Sequence, residues 1–252
     1  MTRVPEIRYL PLERLTIKRP VDRIAYIRAK CRGRKVLDLG AWDETEIART
    51  QHATWKWLHR EIAGSAREVL GVDASETVRQ KGPLRTSFGT TIQYGRVEDL
   101  EGLVAAFGPD LIVAGELIEH TPDPGGWLTA LGRSQPGVEI LVTTPNATSV
   151  ANIGLALVNR EMMHRDHVCV YSYKTLMTLG ARLRLKNMAI TPYYYRTSLL
   201  RGRAPGFLGP AILLADYLIG MPIQFLFPLT AGGLILEGRF PEDAPGGSLG
   251  PP

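Results

Sequence analysis

The segment GELIEH places Glu116, Glu119 and His120 at spacing i, i+3 and i+4. If the turn that carries them is helical, the three side chains share one face, because residues three and four apart are neighbours on a helix. Two carboxylates and an imidazole grouped in this way suit a divalent cation, carboxylate oxygen matching hard ions and imidazole borderline ones. His167, in MHRDHVCVYS, supplies a candidate fourth ligand. A bound Mg²⁺ or Mn²⁺ would grip neighbouring oxygens of an acceptor and lower the pKa of its hydroxyl. Without a metal, His120 or His167 can serve as general base, since imidazole titrates near neutral pH. The candidate catalytic residues are therefore His120, Glu119 and His167, and the candidate metal ligands Glu116, Glu119, His120 and His167. The plainer reading has Glu119 capping or pairing within the turn and His120 orienting the loop. His52, His59 and His164 read as ordinary helix or surface residues.

A second group lies where short apolar runs end. VLDLGAWDE carries Asp38 and Gly40, and VLGVDAS carries Asp73. A glycine at a strand exit lets the backbone turn sharply and approach a ligand closely. An acid at the next strand's end can accept hydrogen bonds from both hydroxyls of a ribose. Trp42 follows the glycine and can line the same pocket. A dinucleotide would call for G-x-G-x-x-G here, to bring backbone against the pyrophosphate. GAWDET places acids where phosphates would sit, which excludes that reading. Asn146, closing the run LVTTPN, is a further candidate for contact with substrate or cofactor.

These residues need a scaffold that gathers strand ends along one edge. Strands are expected at 35–39, 67–72, 91–94, 110–114 and 138–143. Helices are expected at 19–31, 44–66, 98–107 and 118–133, the last interrupted near its start by Pro122 and Pro124. Such alternation predicts βαβ units and a mainly parallel sheet covered on both faces. A helix at 172–183 and strands at 187–195 and 233–239 add an antiparallel closing pair. The fold expected is α/β, a doubly wound, mainly parallel seven-stranded sheet with an antiparallel edge. In open sheets of this kind, ligands bind beyond the strand ends where strand order reverses.

The chain has 252 residues, of which 44% are hydrophobic, enough for one sizeable core. Its division is expected to be a basic N-terminal arm and helix at 1–34, a catalytic domain at 35–240 with an apolar insertion near 206–230, and a disordered Pro/Gly-rich tail at 241–252. Residues 1–35 hold eleven Lys or Arg against three acids, although the whole chain carries only +5. Such an arm can meet phosphate or an anionic membrane, but a solvated helix face is the expectation. Cys31 and Cys169 lack CxxC spacing, so neither a disulfide framework nor a zinc ribbon is expected. With no apolar leader, a cytoplasmic location follows. The stretch 206–233 is strongly apolar but broken by Pro210, Pro222 and Pro228. A helix packed over the sheet or the active site is expected there, with peripheral membrane contact or a homodimer as alternatives. Trp55, Trp57 and the run Tyr193 to Tyr195 read as packing residues.

Taken in order, VLDLGAWDE, GVDAS, DLIVAGELIEHTPDP and LVTTPN resemble the motifs of class I S-adenosylmethionine-dependent methyltransferases, over roughly residues 19–239. The resemblance implies a cofactor site built from Asp38, Gly40, Ala41, Trp42, Asp73, Ala74, Val97, Glu98 and Gly115. Ala41 and Trp42 depart from the two or three glycines usual in the first motif. Arg96 stands where an acid often contacts the adenine, with Glu98 or Asp99 as substitutes. The E-x-x-E-H element is similar to the metal-binding element of ubiquinone-pathway O-methyltransferases and, with RDHV, to that of small-RNA 2′-O-methyltransferases. The expectation is O-methylation of a small hydroxylated acceptor such as a sugar, polyketide or quinone-like molecule, with S-adenosylmethionine and possible metal assistance. Nucleic acid is not the expected partner. The alternatives are a catalytically silent binding or scaffold protein and an RNA-modifying methyltransferase using the basic arm.

Overall fold

The computed structural model describes residues 13–42, 57–194, 214 and 216–242. One eight-stranded sheet organises them. Its strands are β1 (Lys35–Leu39), β2 (Glu68–Asp73), β3 (Leu84–Arg85), β4 (Thr91–Tyr94), β5 (Leu111–Gly115), β6 (Glu139–Pro145), β7 (Lys186–Tyr193) and β8 (Gly233–Arg239). Spatially they run β3-β4-β2-β1-β5-β6-β8-β7. The five strands from β4 to β6 are parallel, and β8 closes antiparallel on β6 and β7. The seven expected strands are all present. The eighth, β3, is a two-residue strand antiparallel to β4, too short to leave an alternation pattern in the sequence.

Helices cover both faces. On one face pack α4 (Glu101–Phe107), α5 (Pro124–Ser134) and α7 (Tyr173–Arg182), through Val104, Trp127, Leu128, Leu131 and Leu176, against Leu37, Leu39, Ile112 and Ile140. On the other, α1 (Arg23–Cys31) and α2 (Leu58–Ala63) bring Ile27, Cys31 and Ile62 onto Val36, Leu111, Val113 and Leu141. Alternation along β1 thus sends Leu37 and Leu39 one way and Val36 the other, as a strand covered on both sides requires. Each fully buried aliphatic side chain stabilises by roughly 1.5–3 kcal/mol.

Helix α3 (Glu76–Lys81) begins at a Ser75 cap, whose side chain accepts from the Val78 amide, and α6 (Val150–Ala156) begins at a Ser149 cap. The expected helix at 44–66 survives among the described residues as α2, the rest lying outside them. Instead of one helix over 118–133 there is a 3₁₀ turn at Ile118–His120 followed by α5, which starts at Pro124 with Asp123 as cap. The tail at 243–252, the arm at 1–12 and the segment 195–213 also lie outside the described residues. Beyond that last gap come a π-helical turn at Asp216–Gly220, α8 (Met221–Leu226) and a 3₁₀ turn at Pro228–Thr230. No helix among the described residues is long and apolar enough to cross a membrane.

Candidate functional site

Strand order reverses between β1 and β5, so the C-terminal ends of β1, β2, β5 and β6 share one edge, the place where open sheets of this kind bind ligands. Gly40 leaves β1 with φ of 75°, a left-handed conformation natural to glycine, and its amide donates to the Val72 carbonyl at 2.9 Å. The Trp42 amide donates to Asp73 Oδ2 at 2.9 Å, and the Ser75 amide donates to Oδ1 at 2.8 Å. Gly40, Trp42 and Asp73 are thus brought together as the sequence suggested. Burial raises the pKa of Asp73, and the two amides oppose that rise. The Trp42 indole Nε1 is buried without a hydrogen-bond partner, a donor that a ligand can satisfy. Leu117 stands over Gly40: a Cβ there would lie 3.5 Å from Leu117 Cδ1. Ala41 is buried, Ala74 exposed, and Val97 packs partly into the core. Glu98 is exposed and bonded to Arg96 at 3.4 Å.

Asp38 points elsewhere. It is 1% exposed, and its Oδ2 lies 2.8 Å from Nδ1 of His59, which is fully buried. His59 Nε2 lies 2.9 Å from Thr90 Oγ1, itself 2.8 Å from Thr86 Oγ1. In the tautomer with the proton on Nδ1, that nitrogen donates to Asp38 and Nε2 accepts from the Thr90 hydroxyl. The ring lies over Gly71, the register partner of Asp38. A Cβ at Gly71 would come within 2.8 Å of both His59 Cε1 and Ala41 Cβ. Gly71→Ala is therefore expected to destabilise the fold by about 1–3 kcal/mol, measured by urea unfolding; an unchanged midpoint would show that the ring moves aside freely. Trp57 Nε1 donates to the Ala41 carbonyl at 2.8 Å, bracing the same loop. Sequence reading treated His59 and Trp57 as ordinary. The one signal was Gly71 inside a buried apolar strand, since such glycines mark close approach.

The GELIEH segment does not present its three candidates on one helical face. Glu116 has φ of 55°, uncommon for a residue with a Cβ, and only Ile118–His120 forms a helical turn. Glu116 Oε1 accepts from Tyr193 Oη at 2.6 Å and Thr143 Oγ1 at 3.2 Å, and lies 3.8 Å from Arg23 Nη2. Arg23 Nε also donates to Thr143 Oγ1 at 3.1 Å. Arg23, Tyr193 and Thr143 were not foreseen; they come from α1, β7 and β6, and only the closed sheet joins them. Gly115, the next residue back, faces Leu58 and Arg23 rather than open space.

Glu119, His120 and His167 do converge, with one potential ligand atom from each within 4.8 Å of the others. Two backbone bonds bring the distant histidine in: the amides of Val168 and Cys169 donate to the Glu119 carbonyl at 2.8 and 3.2 Å. The rings of His120 and His167 meet edge to face at 4.6 Å, with His164 close by. Glu119 is 1% exposed and neither carboxylate oxygen makes a hydrogen bond of good geometry, although the Thr144 hydroxyl and its own amide lie near enough to oppose the burial cost. Burial, with Glu116 nearby, pushes its pKa up to about 8. Burial and the neighbouring His120 and His164 push His167 down, favouring its neutral ring. Asn146 is spent within the protein, donating to the carbonyls of Leu229 and Ala231 and accepting from Thr148.

The sequence profile of the methyltransferase domain family matches residues 12–188, well over half of the chain. No curated protein sequence matches it. Among solved structures, a SAM-dependent methyltransferase from Archaeoglobus fulgidus is 15% identical, with 86% of this chain and 94% of that one covered and a TM-score of 0.47. YcgJ from Bacillus subtilis is 16% identical, with 87% and 98% covered and a TM-score of 0.47. Phosphoethanolamine N-methyltransferase 2 of Haemonchus contortus, in complex with S-adenosyl-L-methionine, is 12% identical with a TM-score of 0.48. There 86% of this chain covers 52% of that one, so this chain spans about half its length. From the profile match, the chain belongs to the methyltransferase domain family.

Proposed function

We propose that this methyltransferase acts on an oxygen of a small hydroxylated acceptor, beside a divalent cation held by Glu119, His120 and His167. The observation that carries the reading is Glu119, a buried carboxylate whose oxygens lack a hydrogen bond of good geometry, set against two imidazoles. A carboxylate that Thr144 and Arg23 offset only in part is costly to bury, and a cation lowers the cost. One carboxylate and two imidazoles suit Mn²⁺ at least as well as Mg²⁺. When bound, the ion would supply Lewis acidity that lowers the pKa of the acceptor hydroxyl. Glu116, held by Tyr193, Thr143 and Arg23, would join the set only by leaving those partners.

In the transfer, the acceptor oxygen bonds to the methyl carbon as the carbon–sulfur bond breaks, and the sulfur keeps the electron pair. The acceptor must lose its proton: beside the cation its lowered pKa lets solvent take it, and without the cation the exposed imidazole of His120, then free of metal, is the base placed to take it. Asp73 would hold the ribose: two amides use part of its acceptor capacity, and an ionised carboxylate has more to offer. The Trp42 indole and the tight turn at Gly40 would face the remainder of the cofactor, with Leu117 moving off Gly40.

The cofactor reading is tested by calorimetry. Asp73→Asn is expected to weaken binding of S-adenosylmethionine by roughly 10- to 100-fold, the usual worth of hydrogen bonds to a charged group. Equal affinity in variant and parent would remove Asp73 from the cofactor site.

A further inference from the structure

Helix α8 is built inside out. Of its six residues only Gln224 is buried, 2% exposed, and its amide is consumed inside the protein. Oε1 accepts from the Gly232 amide at 3.0 Å, and Nε2 donates to the Gly220 carbonyl at 3.2 Å. The apolar side chains face outward: Phe225 is 47% exposed, Leu226 61% and Phe227 61%, and the preceding turn exposes Tyr217, Leu218 and Ile219 as well. A helix at a water boundary does the reverse, turning its apolar stripe inward. No charged residue occurs anywhere from Tyr217 to Leu236.

A second exposed apolar set lies on α6, whose N-terminal end adjoins the turn after α8. The loop before α6 is tied to the turn after α8, since Thr148 Oγ1 and Asn146 Nδ2 both donate to the Leu229 carbonyl. Helix α6 has no buried residue, and it runs into Leu157 and Val158, 83% and 62% exposed. Val168 and Val170, on the strand of chain that carries His167, are exposed as well. So large a set of apolar side chains exceeds the scattered singles normal on a soluble surface.

Its flank is cationic. The Arg19 guanidinium stacks 4.5 Å over the Phe225 ring and bonds to the Phe225 carbonyl, which fixes the basic leader beside α8. Lys18, its neighbour in the chain, is exposed with it, as is Arg14 further back in the leader, whereas the acid Glu13 is paired with Lys174 at 2.9 Å. Apolar side chains rimmed by Arg and Lys match the two parts of an anionic bilayer surface, acyl chains below and negative headgroups above. We propose that α8, the turn before it and the Leu157–Val158 end of α6 seat this enzyme on an anionic lipid bilayer, lying on the membrane without crossing it. A second consequence rests on the acceptor reading above: the hydroxylated acceptor is then one carried by the membrane, reaching the Glu119 cluster past Val168 and Val170.

The test is flotation of the full chain with vesicles, which reads binding without any methyl transfer. The chain is expected to float with phosphatidylcholine–phosphatidylglycerol vesicles and to bind phosphatidylcholine alone about 25-fold more weakly, since Lys18 and Arg19 each contribute roughly a factor of five. The variant L226Q/F227S should lose flotation, and K18Q/R19Q should lose the preference for anionic vesicles. Both keep S-adenosylmethionine affinity, which separates this failure from failure of the cofactor reading. Wild-type protein that stays at the bottom with both vesicle types would overturn the proposal. So would L226Q/F227S floating like wild type, or a stable dimer in light scattering that this variant dissolves, the mark of a face for a second copy.

Discussion

His59→Ala is expected to destabilise the protein by about 3 kcal/mol and to weaken S-adenosylmethionine binding by about tenfold, although His59 need touch no ligand. Removing it strips a buried carboxylate, Asp38, of the ring bonded to it at 2.8 Å. Breaking a buried pair by deleting one partner typically costs 3–5 kcal/mol, most of it the charge left behind. The lower end applies here, because Ala41 and Ile92 also crowd the same position over Gly71 and can relax into the space. The affinity loss follows from packing: the ring and the Ala41 side chain share the space over Gly71, so removing the ring loosens a loop that is then held by the Gly40 and Ala41 amides on the Val72 carbonyl and by Trp57 on the Ala41 carbonyl. That loop presents the Trp42 amide to Asp73. Urea unfolding and calorimetry measure the two effects separately. The decisive comparison is D38N/H59A, which should be more stable than H59A, since the neutral amide leaves no orphan charge. A double variant as unstable as the two single losses added together would show that packing, not the Asp38–His59 bond, sets the cost.

The same pair shows what the sequence could and could not say. Strand positions were readable, because β1, β2, β5 and β6 are short apolar runs bounded by glycine, and burial on both faces leaves that signature. The turn at Gly40 and its meeting with Asp73 followed from strand ends sharing one edge. Asp38 was harder. It sits one residue before the strand's last, and alternation turns its side chain toward the α2 face, where His59 waits. Sequence gives that parity but not the helix packed over it. GELIEH failed in a different way: helical spacing was assumed, and a left-handed residue at Glu116 divides the group in two. Nothing local announces such a backbone. It is fixed by the Glu116 amide bonding to Thr143 and by the carboxylate meeting Tyr193, partners 27 and 77 residues away. His167 was found from its motif, while its placement depends on two amides reaching the Glu119 carbonyl.

Glu119→Gln is expected to make the metal-free protein more stable while lowering turnover by about 100-fold or more, and the opposite signs are what identify the site. Neither Glu119 oxygen has a hydrogen bond of good geometry among the described residues, and the nearby Thr144 hydroxyl and Arg23 only partly offset its burial, so folding without a cation must largely either bury a charge or take up a proton. A glutamine of the same shape removes that burden, and a gain on the order of 1–2 kcal/mol is expected in chelator. If Glu119 merely capped or braced the turn, the substitution would cost stability instead. With Mn²⁺ the order reverses: the parent gains stability by mass action, about 2.7 kcal/mol at a hundredfold excess over the dissociation constant, and the variant gains little. His120→Ala and His167→Ala should also lose the Mn²⁺-induced shift in Tm, because each supplies one of the three converging ligand atoms. The turnover loss reflects an acceptor hydroxyl that keeps its ordinary pKa when no ion lies beside it. Thermal unfolding in chelator and in Mn²⁺, run with the same four proteins as the turnover assay, gives both signs in one experiment. A Glu119→Gln protein that is destabilised in chelator and still gains with Mn²⁺ would return Glu119 to a structural role and leave His120 as a base acting alone.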